Sequence, residues 1–303
     1  MDFFVFALAR AINKKYWHPD YTVFVVRRFC KMKIKADMHT HSENSHDSVC
    51  PIEEMCLAQI EKGTNIMAVT DHADIYSFDD YDIYTPIEKT YKKVEELNRK
   101  YGDRITLLSG IEISEGFWFP EKSNKMRTLC DYDVIIGSVH CVKYGDLTIP
   151  YSRIDFSSFS EKEIYDYLDF YFDDMYEMLE KENFDVLAHL TCPIRYITGK
   201  YSIDINMEKF RKKIDKILSV IIEKNIALEV NTSSYDVLGD FFPSKIILKQ
   251  YFEMGGCLLT MGSDAHVAEN ASIQFEKALQ TIREIGFDKM YYYKKRKPVA
   301  YGI

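Results

Sequence analysis

Short apolar runs alternate with longer amphipathic segments from Lys33 to near the end of the chain. Each run is rich in apolar and β-branched residues, is flanked by Gly, Asn or Asp, and has the length of a buried parallel strand. Seven such runs occur, at residues 33–39, 65–72, 105–113, 132–140, 184–190, 226–232 and 257–266. The pattern therefore predicts seven buried strands.

The segments between these strands have helical periodicity and recognisable helix ends. They lie at residues 48–63, 86–102, 160–183, 206–225 and 272–286. Pro51 stands in the first turn of the first segment, and Ser160 with Glu163 has the spacing of a capping box. Strands that alternate with helices predict an α/β fold with one domain, a closed or nearly closed parallel barrel.

The two ends of the chain fall outside this alternation. Residues 1–31 contain a short apolar run, but Asp2 precedes it where a signal peptide would carry positive charge. We interpret residues 1–31 as an appendage, either a small docked helix or an over-called start, because Met32 directly precedes the first strand. The predicted domain is then 32–303, and its basic tail at 289–303 indicates an extended arm or an edge hairpin.

Composition and charge narrow the classes of protein. With 303 residues, 47% hydrophobic and 28% charged, the chain has the composition of a globular protein. Its formal net charge of −8 offers no broad basic surface, so no nucleic acid polymer is expected as a partner. No apolar run reaches the roughly 18 residues of a membrane span. The seven cysteines include no C-x-x-C pair, and we interpret them as reduced thiols of a cytoplasmic protein.

Metal-seeking side chains gather at the ends of the predicted strands. Five of the eight histidines lie at or just past a strand's C-terminal end, namely His39, His72, His140, His189 and His266. His41 follows His39 by two positions, which places both imidazoles on one face of a strand. Glu112 and Asp264 end the third and seventh strands. Barrel active sites lie at this face, so the sequence predicts a metal centre there.

Each of these residues also has an ordinary explanation when taken alone. A histidine inside an apolar strand, such as His189, is usually a core residue, and Asp71 with His72 is compatible with a helix cap and a surface ring. The interpretation as a metal site depends on all of these residues lying at the ends of predicted strands. Nitrogen and oxygen donors together favour zinc, manganese or iron over a thiolate-bound structural zinc. His18 lies outside the pattern and is expected to have no role in the site.

Six motifs in this chain resemble those of the polymerase-and-histidinol-phosphatase (PHP) superfamily of metal-dependent phosphoesterases. They are DMHTHSENSHDS (37–48), VTDHAD (69–74), GIEI (110–113), GSVH (137–140), DVLAHLT (185–191) and GSDAH (262–266). The resemblance extends from about Ile34 to His266. It implies a distorted (β/α)7 barrel, similar to a TIM barrel, which agrees with the seven strands predicted above.

The resemblance also implies two to three divalent metal ions. The first would bind His39, His41, Glu112 and Asp264. The second would share Glu112 and bind His140 and His189. The third would bind Asp47, His72 and His266; some relatives carry histidine in place of Asp47, and the neighbouring His46 competes for that role. Glu112, Asp264 and His266 would take part in catalysis most directly.

The implied reaction is hydrolysis of a phosphomonoester. Two close cations would generate hydroxide from a bridging water and neutralise the phosphoryl oxygens. A guanidinium group would bind the phosphate, and Arg153 and Arg195 lie in loops at the active face, although an ordinary surface role is an open alternative for each. Asn231 and His46 are further candidates for the pocket. Asp71 and Ser263 would orient imidazoles or cap helices.

Three functions are open at this point, and a small-molecule phosphate ester is the expected partner. The favoured one is an L-histidinol-phosphate phosphatase of histidine biosynthesis, for which the acidic, tyrosine-rich loop 73–86 would bind the alcohol or else be a solvated surface. The second is a nucleotide phosphatase or phosphodiesterase, or a protein-tyrosine phosphatase, of the same superfamily. The third, a catalytically inactive metal-binding module, is disfavoured because competent residues fill all nine ligand positions.

Overall fold

The predicted strand segments form one parallel sheet in the computed structural model, which describes residues 34–77, 82–145 and 147–303. Its strands are β1 (Ala36–Asp37), β2 (Ile66–Val69), β3 (His72–Asp74), β4 (Thr106–Ser114), β5 (Val134–Ser138), β6 (Val186–Leu187), β7 (Ala227–Asn231) and β8 (Leu259–Gly262). The order across the sheet is β1, β2, β4, β5, β6, β7, β8, and β3 pairs with β4 beside β2. Each of the seven predicted segments therefore contributes to the sheet.

Main-chain hydrogen bonds between the first and last strand segments close this sheet into a barrel. The amide of Met38 donates to the carbonyl oxygen of Met261 at 2.8 Å, and that of His41 donates to Ala265 at 2.9 Å. The second predicted strand is interrupted at residues 70–71, between β2 and β3. There the Asp71 carbonyl oxygen still accepts a hydrogen bond from the Glu112 amide at 3.2 Å. The prediction of a distorted (β/α)7 barrel is confirmed.

Helices cover the outside of the barrel. In the described part of the chain they are α1 (Ile52–Glu61), α2 (Tyr84–Tyr101), α3 (Pro120–Arg127), α4 (Glu161–Lys181), α5 (Arg211–Lys224), α6 (Tyr235–Leu238), α7 (Lys245–Glu253) and α8 (Phe275–Ile285). The predicted capping box is present, because Ser160 Oγ accepts from the Glu163 amide and Glu163 accepts from the Ser160 amide at 2.7 Å. Among these helices, none is long and apolar enough to cross a membrane.

Three of these helices, α3, α6 and α7, were not predicted. α3 has the sequence PEKSNKMR and buries only Ser123 and Met126, so it has almost no apolar periodicity. α6 is a single turn, and α7 is a short segment whose apolar residues are crowded together. The six cysteines within the described residues form no disulfide, while Cys30 and the proposed appendage 1–31 lie outside them.

The C-terminal tail is an antiparallel hairpin, one of the two predicted alternatives. Its strands are β9 (Lys289–Lys294) and β10 (Lys297–Gly302). At its turn, the amide of Lys295 donates to Asp133 Oδ1 at 2.9 Å and the Arg296 guanidinium pairs with Asp185. Asp133 and Asp185 precede β5 and β6, so the hairpin turn is attached to the end of the barrel opposite the predicted site.

Candidate metal centre

All nine predicted ligand side chains meet at the C-terminal ends of the strands. They come from the segment after β1 (His39, His41, Asp47), from β3 (His72), from β4 (Glu112), and from the segments after β5 (His140), β6 (His189) and β8 (Asp264, His266). Several groups of three place their donor atoms within 4.8 Å of one another: His39, His41 and Asp264; His39, Glu112 and His189; His41, His72 and His266. Such groups can bind metal ions.

The first group surrounds the two histidines of the H-x-H sequence. His39 Nε2 and His41 Nε2 are 3.0 Å apart, and both rings are fully buried. Asp264 Oδ1 is 3.2 Å from His41 Nε2, and Glu112 Oε2 is 3.3 Å from His39 Nε2. Two nitrogens and two carboxylate oxygens thus converge on one point, the arrangement that a four-coordinate divalent ion requires.

The second group uses the other oxygen of the same glutamate. Glu112 Oε1 is 2.9 Å from His189 Nε2 and 3.2 Å from His140 Nε2, and these two nitrogens are 3.5 Å apart. Because Oε1 faces this group and Oε2 faces the first, Glu112 has the geometry of a bridging ligand.

The third group lies nearer the surface. Asp47 Oδ1 is 3.5 Å from His72 Nε2, and Asp47 Oδ2 is 3.3 Å from His266 Nε2. The competing residue His46 instead places its Nδ1 atom 3.5 Å from Asp74 Oδ2. The geometry therefore favours Asp47 over His46 as the ligand that joins His72 and His266 in this group.

Buried donor atoms in the centre lack ordinary partners, which fits a bound cation. Glu112 Oε2 and His72 Nδ1 are 2.9 Å apart, yet neither makes a hydrogen bond of acceptable geometry. A buried polar atom without a partner commonly marks the position of an ion or a water molecule.

Burial and neighbouring charges shift the pKa values of several side chains in the centre. Burial would raise the pKa of Glu112, but the neighbouring histidines hold it well below its usual value. Burial would lower the pKa of His39 and His72, but the surrounding carboxylates raise both well above the usual value. His41 differs, because burial and the charges of two other histidines hold its pKa well below the usual value.

Zinc uptake is therefore expected to release protons. The neighbouring carboxylates raise the pKa of His39 and His72 well above the usual value, and a nitrogen must lose its proton to bind a metal. The affinity should consequently fall as the pH falls and rise as the pH rises through the raised pKa values. Isothermal titration calorimetry at pH 7 in two buffers of different ionisation enthalpy should detect about one released proton or more. A binding enthalpy that is identical in both buffers would contradict this.

Two buried aspartates hold the loops that carry the ligands. Asp71 accepts from the Ser42 amide at 2.6 Å and from Ser45 Oγ at 2.8 Å, and Ser45 Oγ is 3.1 Å from His41 Nδ1. Asp37 accepts from Ser263 Oγ at 2.6 Å. Asp71 is thus connected to an imidazole through Ser45, while Ser263 fixes the chain before Asp264 rather than touching an imidazole.

Two further carboxylates at the centre were missed by the sequence analysis. Glu229 Oε1 is 2.7 Å from His39 Nδ1, and Asp74 Oδ1 is 3.2 Å from His140 Nδ1. Both side chains are buried within strands, Glu229 in β7 and Asp74 in β3. The available signal was a single acidic residue inside an apolar strand, which is unusual unless the charge has partners.

A small cavity of about 80 Å³ opens beside the centre. Besides several of the ligand side chains, its lining includes His46, Asp74, Pro150, Tyr151, Ser152, Cys192, Arg195 and Tyr196. Of the predicted substrate-binding residues, Arg195 and His46 face this cavity. Arg153 is exposed and does not line it, and Asn231 is fully buried beneath it, donating to Glu229 Oε2 at 3.2 Å.

Comparison with known proteins places the chain in a family. Residues 37–233 match the family model of the PHP domain, and the chain belongs to this family of proteins. The resemblance identified from the six sequence motifs is therefore confirmed.

Similar proteins are named histidinol-phosphatases. A probable histidinol-phosphatase of Clostridium acetobutylicum is 28% identical over 86% of this chain and 97% of its own length. The histidinol-phosphatase of Lactococcus lactis is 26% identical over 84% of this chain and 93% of its own length. A crystal structure of histidinol phosphate phosphatase from Lactococcus lactis, complexed with zinc, L-histidinol and phosphate, has a TM-score of 0.75 at 24% identity, covering 88% of this chain and 98% of that one. This last similarity concerns the fold.

Proposed function

We propose that this protein is a metal-dependent phosphomonoesterase that hydrolyses L-histidinol phosphate to L-histidinol and phosphate, a step of histidine biosynthesis. The observation that carries the proposal is the clustering of the nine candidate metal ligands at one end of the barrel, where six of them line a small cavity together with Arg195. The names of the similar proteins from Clostridium acetobutylicum and Lactococcus lactis support the choice of substrate.

The donor atoms fit two to three divalent cations. Each of the three groups combines imidazole nitrogens with carboxylate oxygens, a donor set that suits zinc, manganese or iron, and the structural relative from Lactococcus lactis was solved with zinc. Bound at these groups, divalent cations would activate a water molecule as the nucleophile and neutralise charge on the phosphoryl oxygens. Glu112 would keep two of the ions close together, and Asp47 would complete the third group.

Arg195 would bind and orient the phosphate. Its guanidinium lies 5.3 Å from the centre of the Phe242 ring and bonds to Ser233 Oγ, which fixes the side chain at the cavity wall. Its Nε atom is buried and makes no hydrogen bond within the protein. A planar guanidinium held in this way presents parallel N–H donors to two phosphate oxygens.

Tyrosines beside the cavity would bind the alcohol. The rings of Tyr151 and Tyr196 are 5.4 Å apart between centroids, and both residues line the cavity. An aromatic wall suits a flat imidazole or a nearby ammonium group. The acidic side chain of Asp74 on the same cavity would favour a cationic alcohol.

Phosphate release by the zinc-reconstituted protein tests the proposal. Histidinol phosphate would be compared with nucleoside monophosphates, phosphotyrosine and a simple aryl phosphate. We expect kcat/KM for histidinol phosphate to exceed the others by about a hundredfold or more, since the pocket would recognise the alcohol as well as the phosphate. Equal, low rates on all substrates would refute the assignment of substrate. No turnover on any of them, with metal ions bound, would favour the inactive module.

A further inference from the structure

We propose that Glu229 is a positioning residue that sets the affinity of the first metal group by fixing the ring of His39. The proposal rests on the metal centre described above and adds a residue that binds no ion itself. Glu229 lies within β7, is 1% exposed, and uses both of its carboxylate oxygens. Oε1 is 2.7 Å from His39 Nδ1, and Oε2 accepts from the His189 amide, also at 2.7 Å.

The contact with His39 determines which nitrogen of the ring is free. Glu229 Oε1 accepts a hydrogen bond from His39 Nδ1, which leaves Nε2 as the ring nitrogen that faces the other ligands. The lone pair on His39 Nε2 is then directed at the convergence point, 3.0 Å from His41 Nε2 and 3.3 Å from Glu112 Oε2. A carboxylate behind a metal-binding imidazole fixes its tautomer and makes it a stronger ligand.

The second oxygen of Glu229 connects the first group to the second. The residue that donates its amide to Oε2, His189, has a φ of +22°, a backbone conformation that side-chain-bearing residues rarely adopt. The same residue places Nε2 2.9 Å from Glu112 Oε1. One carboxylate therefore holds a ring nitrogen of the first group and the backbone of a ligand of the second.

The chain also leaves space for this contact on the neighbouring strand. A Cβ atom at Gly262, in β8, would lie 2.2 Å from Glu229 Oε1 and 2.6 Å from His39 Cβ. Any side chain there would push Glu229 and His39 apart. The glycine in the GSDAH motif thus permits the close approach of the carboxylate to the imidazole, independently of its role in any turn.

Substitution by glutamine separates a positioning role from simple packing. Glu229→Gln keeps the volume of the side chain but has one acceptor oxygen, so it cannot accept from both His39 Nδ1 and the His189 amide. The matched control is Asp185→Asn. Asp185 is also buried and accepts from the Ile135 amide at 2.8 Å, but it lies at the opposite end of the barrel.

Three readouts are needed, none of which depends on turnover. Zinc stoichiometry and affinity would be measured by competition with a chelator, followed by metal analysis. The downfield proton resonance of a hydrogen-bonded imidazole N–H would be followed by NMR in the zinc-loaded protein. The thermal midpoint of each variant would report general destabilisation.

We expect Glu229→Gln to bind at least one zinc ion with about 10–100-fold lower affinity than the wild type. One downfield imidazole resonance should also be lost. Asp185→Asn should keep the wild-type affinities and the resonance, whatever its thermal midpoint. Wild-type zinc affinities in Glu229→Gln would overturn the proposal, even if the variant were less stable than the wild type. If Glu229→Gln fails to fold, Glu229→Asp takes its place, since it keeps the charge but is too short to reach both donors. Wild-type affinities in that variant would overturn the proposal equally.

The wild-type titration distinguishes this inference from the proposed function. If the wild-type protein binds no zinc, manganese or iron, both the metal centre and the role of Glu229 are wrong. If the wild type binds ions and Glu229→Gln binds them equally well, only the role of Glu229 is wrong.

Discussion

Replacement of Glu112 by glutamine is expected to lower kcat for phosphate release by about a thousandfold or more. Its two oxygens face different ligand groups, with Oε2 at 3.3 Å from His39 Nε2 and Oε1 at 2.9 Å from His189 Nε2. An amide offers one oxygen in place of two and carries no negative charge, so it cannot bridge two cations. Bound cations supply several kcal/mol of transition-state stabilisation, which corresponds to about three powers of ten in rate.

The measurement combines steady-state kinetics with metal analysis. Glu112→Gln should bind at least one ion fewer than the wild type. Glu43→Gln is the matched control, because Glu43 belongs to the first motif but accepts from the Ile52 amide at the start of α1 and lies outside the centre. It should retain activity to within about threefold. Near-normal turnover in Glu112→Gln with an unchanged metal content would refute the assignment of Glu112 as the bridging ligand.

Replacement of Arg195 by glutamine is expected to lower kcat/KM by about 10²–10³-fold, the usual effect of removing one charged donor from a developing oxyanion. Arg195 lines the cavity, and its guanidinium is held by Ser233 Oγ and Phe242. Arg153 provides the matched comparison, since both arginines follow barrel strands in loops at the active face. Arg153 is exposed and does not line the cavity, so Arg153→Gln should change kcat/KM by no more than about threefold.

Both arginine variants would be compared under metal-saturated conditions, so that a changed zinc content does not account for the result. Competitive inhibition by inorganic phosphate gives a second measurement that is independent of the alcohol. Inhibition should be weakened in Arg195→Gln and unchanged in Arg153→Gln. If the two variants behave alike, or if Arg153→Gln is the more impaired, Arg195 is not the residue that binds the phosphate.

Much of the barrel and the clustering of its candidate metal ligands could be predicted because local patterns determine them. Parallel strands buried on both faces read as apolar runs, and a ligand placed at the end of such a run must lie at the active face. The position of each residue at the end of its own predicted strand was therefore enough to predict that His39, Glu112 and Asp264 lie close together. No knowledge of tertiary contacts was needed.

The supporting residues could not be predicted in the same way, because their roles depend on contacts across the fold. Glu229 has a role only because His39, in the segment after β1 and far away in sequence, places Nδ1 at 2.7 Å from Glu229 Oε1. Arg153 and Arg195 both lie in loops that follow barrel strands, and only the path of each loop decides which of them lines the cavity. Asn231 was expected at the pocket wall, but its side chain bonds to Glu229 beneath the centre.

The closure of the barrel by its first and last strands has a consequence for how the protein is made. The donor atoms of the first group come from opposite ends of the described chain, with His39 and His41 after β1 and Asp264 after β8. A ribosome adds about 5–20 residues per second, so on the order of ten seconds or more separates the synthesis of these two parts. Throughout that interval His39 and His41 are present without Asp264, so the ligands of the first group are incomplete. Stable binding of a metal ion by this group would therefore wait until the segment after β8 has been synthesised, and the partly made chain has to survive in the cell until then.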